Sequence, residues 1–515
     1  MFLRKKINKS GSVSVQIVDK QNGYKVVKTV GSTIDADQLK KLVQQGETII
    51  NTAAPNQLKL LSDLSSWEIS IKNFLENLHN SQIHTVGPEL IFGKLFDQIG
   101  FNAIQSDLFR HIVIARLVFP TSKLKTVDYM YRYQGVHQDI NALYRFLDKL
   151  NDQYKEQIEK IAYEYTRRTL NNNISIVFYD MTTLYFEAED EDDLRKIGFS
   201  KDGKFQKPQI MLGLLVGKNG YPIGYDIFEG NKFEGHTLMP VLKSIQKKYG
   251  FKSPVVVADA GLLSKDNLKN LSKQKYKFII GARIKNEADK LKLKILARAK
   301  KLKDGIGFSI IKSKNMRLIV TFSEKRRKKD EYNRLKGIKK LRLRVKYGKL
   351  TKASINNRGY NKFLILKNEI KVEIDENKIK KDAAWDGLKG YLTNSRLPAM
   401  TVVENYRHLW QIEKAFRISK TDLRIRPVYH YKQKRIRAHI CISFVAYTIY
   451  KELERLLYKN KAGFSPRRAA ELTHNMYALE YSLEDSLNHE SIILKMDDQQ
   501  KLLYRIVYQN SRVSQ

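Results

Sequence analysis

Ile174-Ser-Ile-Val-Phe-Tyr-Asp180 is a short apolar run closed by an acid, and Pro254-Val-Val-Val-Ala-Asp259 repeats the pattern further along the chain. Runs of this length, rich in β-branched and aromatic residues, predict buried strands. Two more strands are predicted between them, Ile210–Val216 and Tyr221–Phe228, followed by a helix over Thr237–Lys248. After Asp259 come a helix over Ser264–Lys273 and a strand over Tyr276–Gly281. Three strands, a helix, a strand, a helix and a strand predict a mixed sheet flanked by helices. A carboxylate closing a buried apolar strand is costly unless it is paired or metal-bound. The alternative for Asp259 is a cap on the helix near Ser264.

That element order is the one used by ribonuclease-H-like nuclease and integrase folds. The expected fold is an α/β ribonuclease-H-like core preceded by a helical N-terminal region, and the family resemblance given below implies that a largely β basic insertion interrupts that core. Residues 1–80 read as a small β/α region, with strands at Ser12–Asp19 and Gly23–Lys28 before a polar helix. Residues 81–170 read as helical, a candidate DNA-binding module with plain helical packing as its alternative. The core is expected over 171–284 and again over 399–515, where C-terminal helices follow. Between these parts, 285–398 forms the insertion, with strands at Phe308–Phe322, Leu341–Tyr347 and Phe363–Leu366 broken by Lys325-Arg-Arg-Lys-Lys.

Composition narrows the function. The chain has 515 residues, 42 % of them hydrophobic, enough for sizeable cores. Its 94 Lys and Arg against 54 Asp and Glu give a formal charge of +40. Self-repulsion on this scale points to a polyanionic partner. Residues 285–350 alone hold 24 Lys or Arg against six Asp or Glu, nearly half of the net charge. One cysteine, Cys441, excludes a disulfide scaffold or a cysteine-built zinc site and reads as a buried, inert thiol. His236, His408 and His439 show no two-histidine metal spacing. Met-Phe-Leu-Arg-Lys-Lys lacks the apolar run of a signal peptide, and Ile440–Tyr450 is about half the length of a membrane span. The expectation is a soluble, cytoplasmic, nucleoid-associated protein without a membrane partner.

Cutting or joining a phosphodiester needs a deprotonated nucleophile and a stabilised leaving oxygen. Two divalent ions about 3.5–4 Å apart supply both, and Mg2+ selects hard oxygen ligands. Asp180 and Asp259 at strand ends are candidates. A third acid lies in Tyr406-Arg-His-Leu-Trp-Gln-Ile-Glu-Lys-Ala-Phe-Arg-Ile-Ser-Lys420. Positions seven apart on a helix differ by about 20°, which predicts one stripe of Tyr406, Glu413 and Lys420. In this reading Glu413 ligates metal while Tyr406 and Lys420 hold the DNA backbone. A surface salt-bridge face is the alternative.

These residues resemble the DDE triad of insertion-sequence transposases. The helix is similar to the Y-(2)-R-(3)-E-(6)-K pattern of the IS-four (YREK) superfamily, matched at Tyr406, Glu413 and Lys420 with apolar neighbours Trp410, Ile412 and Phe416. Gly198-Phe-Ser-Lys-Asp-Gly, Phe228-Glu-Gly-Asn…Thr237, Ala258-Asp-Ala-Gly and Asp386-Gly-Leu-Lys-Gly-Tyr-Leu-Thr-Asn394 resemble the IS sixteen-thirty-four-like group. The family arginine is replaced by Leu409, which on the helical wheel faces the site; Arg417, one turn beyond Glu413, is the substitute. The resemblance implies a transposase that binds terminal inverted repeats, acts as a homodimer on double-stranded DNA (transposon ends and target), and catalyses cleavage and strand transfer. Asp180, Asp259 and Glu413 would be both catalytic and metal-binding, with two Mg2+ ions, for which Mn2+ substitutes. Tyr406, Lys420, Arg417, Lys325, Arg326 and Arg327 would contact DNA. The insertion is implied to be a platform for end DNA and the partner subunit. Trp385 is a candidate for stacking a flipped base, with a core tryptophan as the alternative. The rival functions are a ribonuclease-H-like nuclease without strand transfer and a non-enzymatic basic nucleic-acid-binding protein.

Overall fold

The computed structural model of the protein describes all residues except 21–22, 53–65, 251–253, 263, 314, 349, 368–370, 483–488 and 510–515. The chain forms two compact units, Met1–Ile83 and His84–Gln515. In the first, β1 (Phe2–Ile7), β2 (Val13–Asp19) and β3 (Lys25–Thr33) form an antiparallel meander in chain order. Val15, Ile17 and Val18 of the central strand are fully buried, and the helix Ala36–Thr52 packs on β2 and β3.

The second unit starts with the short strand β4 (Ile83–Thr85), then runs through the helices Lys94–Ile99, Asp107–Val118, Lys123–Gln134, Ile140–Lys149 and Lys155–Thr169. Its main sheet is built from β5 (Ile176–Tyr185), β6 (Gln209–Val216), β7 (Pro222–Glu229), β8 (Val255–Ala258), β9 (Lys277–Ala282), β10 (Gly307–Ser313) and β11 (Met316–Phe322). After a separate hairpin of β12 (Leu364–Lys367) and β13 (Lys371–Ile374), β14 (Leu388–Thr393) returns to that sheet. The strand order is β10-β11-β14-β9-β8-β5-β6-β7. β8 lies parallel to both β5 and β9; every other pairing is antiparallel. This is the expected mixed sheet flanked by helices. A last hairpin, β15 (Tyr477–Ser482) with β16 (His489–Ile493), lies near the C-terminus.

Side-chain alternation assigns each face of the sheet to its own core. Val177, Tyr179 and Met181 of β5, with Val256 and Ala258 of β8, pack under the helix Leu238–Tyr249. Phe178 and Leu184 of β5, with Val257 of β8, face the other way. That face is covered by the helices Ala399–Arg407, Trp410–Arg417 and Gln433–Lys459, the last buried along most of its 27 residues. β6 is buried at every position, as a strand covered on both faces must be.

Three expectations need correction. Asp180 does not end its strand: β5 continues to Tyr185, because Met181–Tyr185 pairs with Gln209–Gly213 of β6. The stretch 285–398 is not largely β: the helices Asp289–Ala299, Glu324–Lys346 and Glu376–Ala383 hold more of it than its strands do. Leu341–Tyr347 and Lys325–Lys329 belong to the helix Glu324–Lys346 and its C-terminal cap, where Ile338 and Leu341, one turn apart, bury against Phe363 and Leu364. Among the described residues no helix is long and apolar enough to cross a membrane.

Candidate active site

Asp180 and Asp259 are brought together by register. Tyr179 lies opposite Ala258 in the parallel β5–β8 pair, so the two aspartates are the next residues on neighbouring strands, which run about 4.8 Å apart. Both have the parity of Phe178 and Val257, so they share the face covered by the helices Ala399–Arg407 and Trp410–Arg417. Asp259 does not cap the next helix; Ser264 does, accepting the Asn267 N–H.

Two loops close over Asp180. The Lys201 ammonium donates to the Met181 carbonyl at 2.7 Å, lies 2.7 Å from Glu234 Oε1 and sits 3.9 Å from Asp180 Oδ1. The loops carrying Lys201 and Glu234 are clamped by buried Gln209, which donates to the carbonyls of Phe199 and Gly230. A Cβ on Gly230 would fall 2.0 Å from the Gln209 carbonyl, so only glycine permits this approach. Burial pushes the Asp180 carboxyl up to about 6; the charges of Glu234 and Asp259 add to this, and Lys201 opposes it.

Asp259 is exposed and accepts a hydrogen bond from the buried Tyr406 hydroxyl at 2.8 Å. Burial, then the Asp259 charge, raises the phenol above its ordinary range, and Glu413 acts in the same direction. Glu413 is exposed and makes no hydrogen bond or ion pair with either residue among the described residues. The Lys389 ammonium lies 4.5 Å from the Tyr406 ring centroid. Burial and Arg326 lower its pKa, while Asp259 and Glu413 raise it.

The expected stripe is broken. The helix Ala399–Arg407 ends at His408, and i→i+3 bonds (Leu409 N–H to Tyr406 O, Gln411 N–H to His408 O) tighten the chain before the helix Trp410–Arg417. A π-helical turn, Ile418–Asp422, follows. Lys420 thus does not extend the line of Tyr406 and Glu413. Its ammonium lies 3.1 Å from both carboxylate oxygens of Asp202, which also pairs with Arg426. Leu409 is buried in the same core as Tyr406, and Trp410 is 52 % exposed where an apolar neighbour was expected. Arg417 is exposed. On the helix Glu324–Lys346, Lys325 is exposed, Arg326 pairs with Asp330, and Arg327 is held by Glu324 and Glu331. Trp385 packs with Ile284, Ile310 and Leu318, the core position given as its alternative. Cys441 is buried, its thiol pushed up to about 12 by that burial.

Lys201, Glu234 and Lys389 were not singled out from sequence. Their signal was weak but present, since each falls within a stretch that resembles the insertion-sequence group.

Residues 171–449 match the family described as the Transposase DDE domain. The chain belongs to that family, a class of transposases whose DNA chemistry generally uses divalent metal ions. No curated protein matches the chain. Among solved structures it is similar to one titled "Cryo-EM structure of piggyBac transposase synaptic complex with hairpin DNA (SNHP)". The match has 9 % identity and a TM-score of 0.39, and it covers 75 % of this chain and 76 % of that one.

The donor chemistry suits a hard divalent cation: Asp180 and Asp259 offer carboxylate oxygens from adjacent strands. Among the described residues no three His, Cys, Asp or Glu side chains converge closely enough to hold a metal ion together. In this arrangement the cation between Asp180 and Glu234 is the Lys201 ammonium.

Proposed function

We propose that the protein is an insertion-sequence transposase of the IS-four (YREK) superfamily, in its IS sixteen-thirty-four-like group. It binds terminal inverted repeats as a homodimer, hydrolyses phosphodiesters to free 3′-OH ends, and joins those ends to target DNA in the cytoplasm. The observation that carries this reading is the placement of Asp180 and Asp259 side by side on one sheet face, with Asp259 accepting a hydrogen bond from Tyr406. The order β7-β6-β5-β8-β9 supports a ribonuclease-H-like core. The strands β14, β11 and β10 extend that core's sheet from β9, which supports reading 285–398 as an insertion into it.

Asp180 and Asp259 would hold Mg2+, which Mn2+ would replace, and Glu413 would complete the set. When bound there, such ions would supply activation of the nucleophile and neutralisation of the leaving oxygen. Tyr406 positions Asp259 through its hydroxyl. Lys201 neutralises the Asp180–Glu234 pair, and Lys389 sets a positive charge against the Tyr406 ring. Arg417, together with Lys325 and Arg326, contacts the DNA backbone. Tyr406, Lys420 and Arg327 support the contact surface through the bonds described above.

The test uses plasmid DNA carrying the element's two ends. Asp180→Ala, Asp259→Ala and Glu413→Ala are each expected to abolish cleavage while end binding stays within about twofold, a difference of roughly 0.4 kcal/mol. Full activity in any one variant removes that residue from the mechanism. Cleavage by the wild type without strand transfer would favour the nuclease reading.

A further inference from the structure

Away from the aspartates, a cavity of about 540 Å³ opens between the helix pair Asp107–Val118 and Lys123–Gln134 and the segment Arg424–His430. Its lining includes the cations Arg116, Lys123, Arg424 and Arg426, together with the imidazole of His439. Arg116 and Lys123 are only 5 % and 4 % exposed. Among the described residues no carboxylate pairs with either charge. Among the described residues Lys123 makes no hydrogen bond or ion pair, and Arg116 reaches only the Leu423 carbonyl, at 3.5 Å, with its Nε unpartnered. His439 spends Nε2 on the Ile425 carbonyl and leaves Nδ1 buried without a partner; Arg426 Nε is also unpartnered. The nearby acids are already engaged, Asp148 by Arg435 and Asp202 by Lys420 and Arg426.

Buried cations without counter-charges are destabilising, and a protein that retains two in one cavity has a reason to keep it basic. Burial lowers the pKa of both Arg116 and Lys123, and the Arg116 charge lowers that of Lys123 further. A guanidinium, an ammonium and the N-terminus of the helix Lys123–Gln134, capped by Ser122, together make the donor set that binds a tetrahedral oxyanion. The rim carries exposed Lys125, Arg424 and Tyr429, two further cations and an aromatic ring, suited to a chain of phosphates and bases more than to one small anion.

We infer that this cavity is a phosphate-binding pocket that seats one backbone phosphate of bound DNA between Arg116 and Lys123. The inference rests on the DNA-binding part of the proposed function, and it adds a contact that involves none of the proposed catalytic acids.

The test compares the full chain with Lys123→Met, a substitution of similar length that removes the unpaired charge. Free Lys123→Met is expected to melt above the wild type. Its affinity for a short duplex is expected to fall about tenfold, the effect of losing one charge-assisted contact. The slope of log K against log salt should shrink by about 0.9, the value for one phosphate. At constant ionic strength, inorganic phosphate should raise the melting temperature of the wild type and not of the variant. If Lys123→Met does not fold, Lys123→Gln replaces it in every arm. Unchanged duplex affinity and salt slope in a folded variant would overturn the pocket. Phosphate protection without any change in duplex binding would also overturn it, by making the ligand a free anion. A wild type that binds no duplex at all would sink the DNA reading itself, and that outcome is separate from the other two.

Discussion

Asp180 carries a charge that its surroundings disfavour. Burial, with Glu234 and Asp259 nearby, holds its carboxyl near 6, above the ordinary value of 3.8. Between those two values the folded protein keeps a proton that the unfolded chain releases. This group's contribution to stability is therefore fully present below the lower value and is lost as pH rises through about 6. Asp180→Asn, which does not titrate, should match the wild type near pH 4 and melt above it at pH 8, both in chelator. Thermal unfolding across that range checks it. A variant less stable than the wild type at pH 8 would mean that Lys201 binds the carboxylate strongly enough to outweigh its burial. A stabilising substitution that abolishes activity is what a site built for function, at a cost in stability, should show. The same logic applies to Lys123, whose buried ammonium has no partner among the described residues.

The Asp259 contact depends on how a helix meets a strand. Gly281 in β9 lies directly under Tyr406, and a Cβ there would fall 2.6 Å from the hydroxyl that Asp259 accepts. Gly281→Ala should therefore push the phenol off Asp259. In a Tyr406→Phe background the oxygen is gone and the same alanine should be better tolerated. Urea unfolding of the two single variants and the double variant should give a coupling of about 0.5–3 kcal/mol; additive losses would show that the glycine serves something else. Sequence reading succeeded where apolar runs dictate structure. Val255–Ala258 has one buried solution, and an acid closing such a run stands out. It failed where two periods compete. Leu341-Arg-Leu-Arg-Val alternates like a strand, yet it continues a long segment of strong helix formers whose Ile338 and Leu341 find a core one turn apart. The Tyr406–Glu413–Lys420 stripe failed for a different reason. Ideal helical spacing cannot anticipate a tightened junction at His408–Leu409 or a π-helical turn at Lys420. Lys201, Glu234 and Lys389 have no periodic signature; only the folded sheet places them near the aspartates.

The charge of +40 is unevenly spread, and its densest structured part is the helix Glu324–Lys346. Several of its cations are balanced: Arg334 by Asp386, Arg327 by Glu324 and Glu331, and Arg342 by Glu376. Lys328, Lys329, Lys339 and Lys340 are exposed and make no ion pair among the described residues. The two pairs are eleven residues apart, which on a helix brings them within about 20° of each other and about 16 Å along the axis. They form two parallel cationic rows, Lys328 with Lys339 and Lys329 with Lys340, on the part of the chain that extends the main sheet from β9. Rows kept merely for solubility would be indifferent to neutralisation, whereas rows that follow a DNA backbone would not. Replacing all four lysines with glutamine lowers the formal charge by four from +40 and leaves the buried face of the helix, Ile338 and Leu341, untouched. Duplex affinity should fall, and the salt slope should shrink by about 0.9 for each phosphate contact removed. Anisotropy titrations across a salt series measure both quantities. If the slope matches that of the wild type, the rows are a solvated face and the DNA path lies elsewhere. If it drops, and drops further when Lys123→Met is added, the two basic sites contact different phosphates of the same bound duplex, since separate contacts contribute additively.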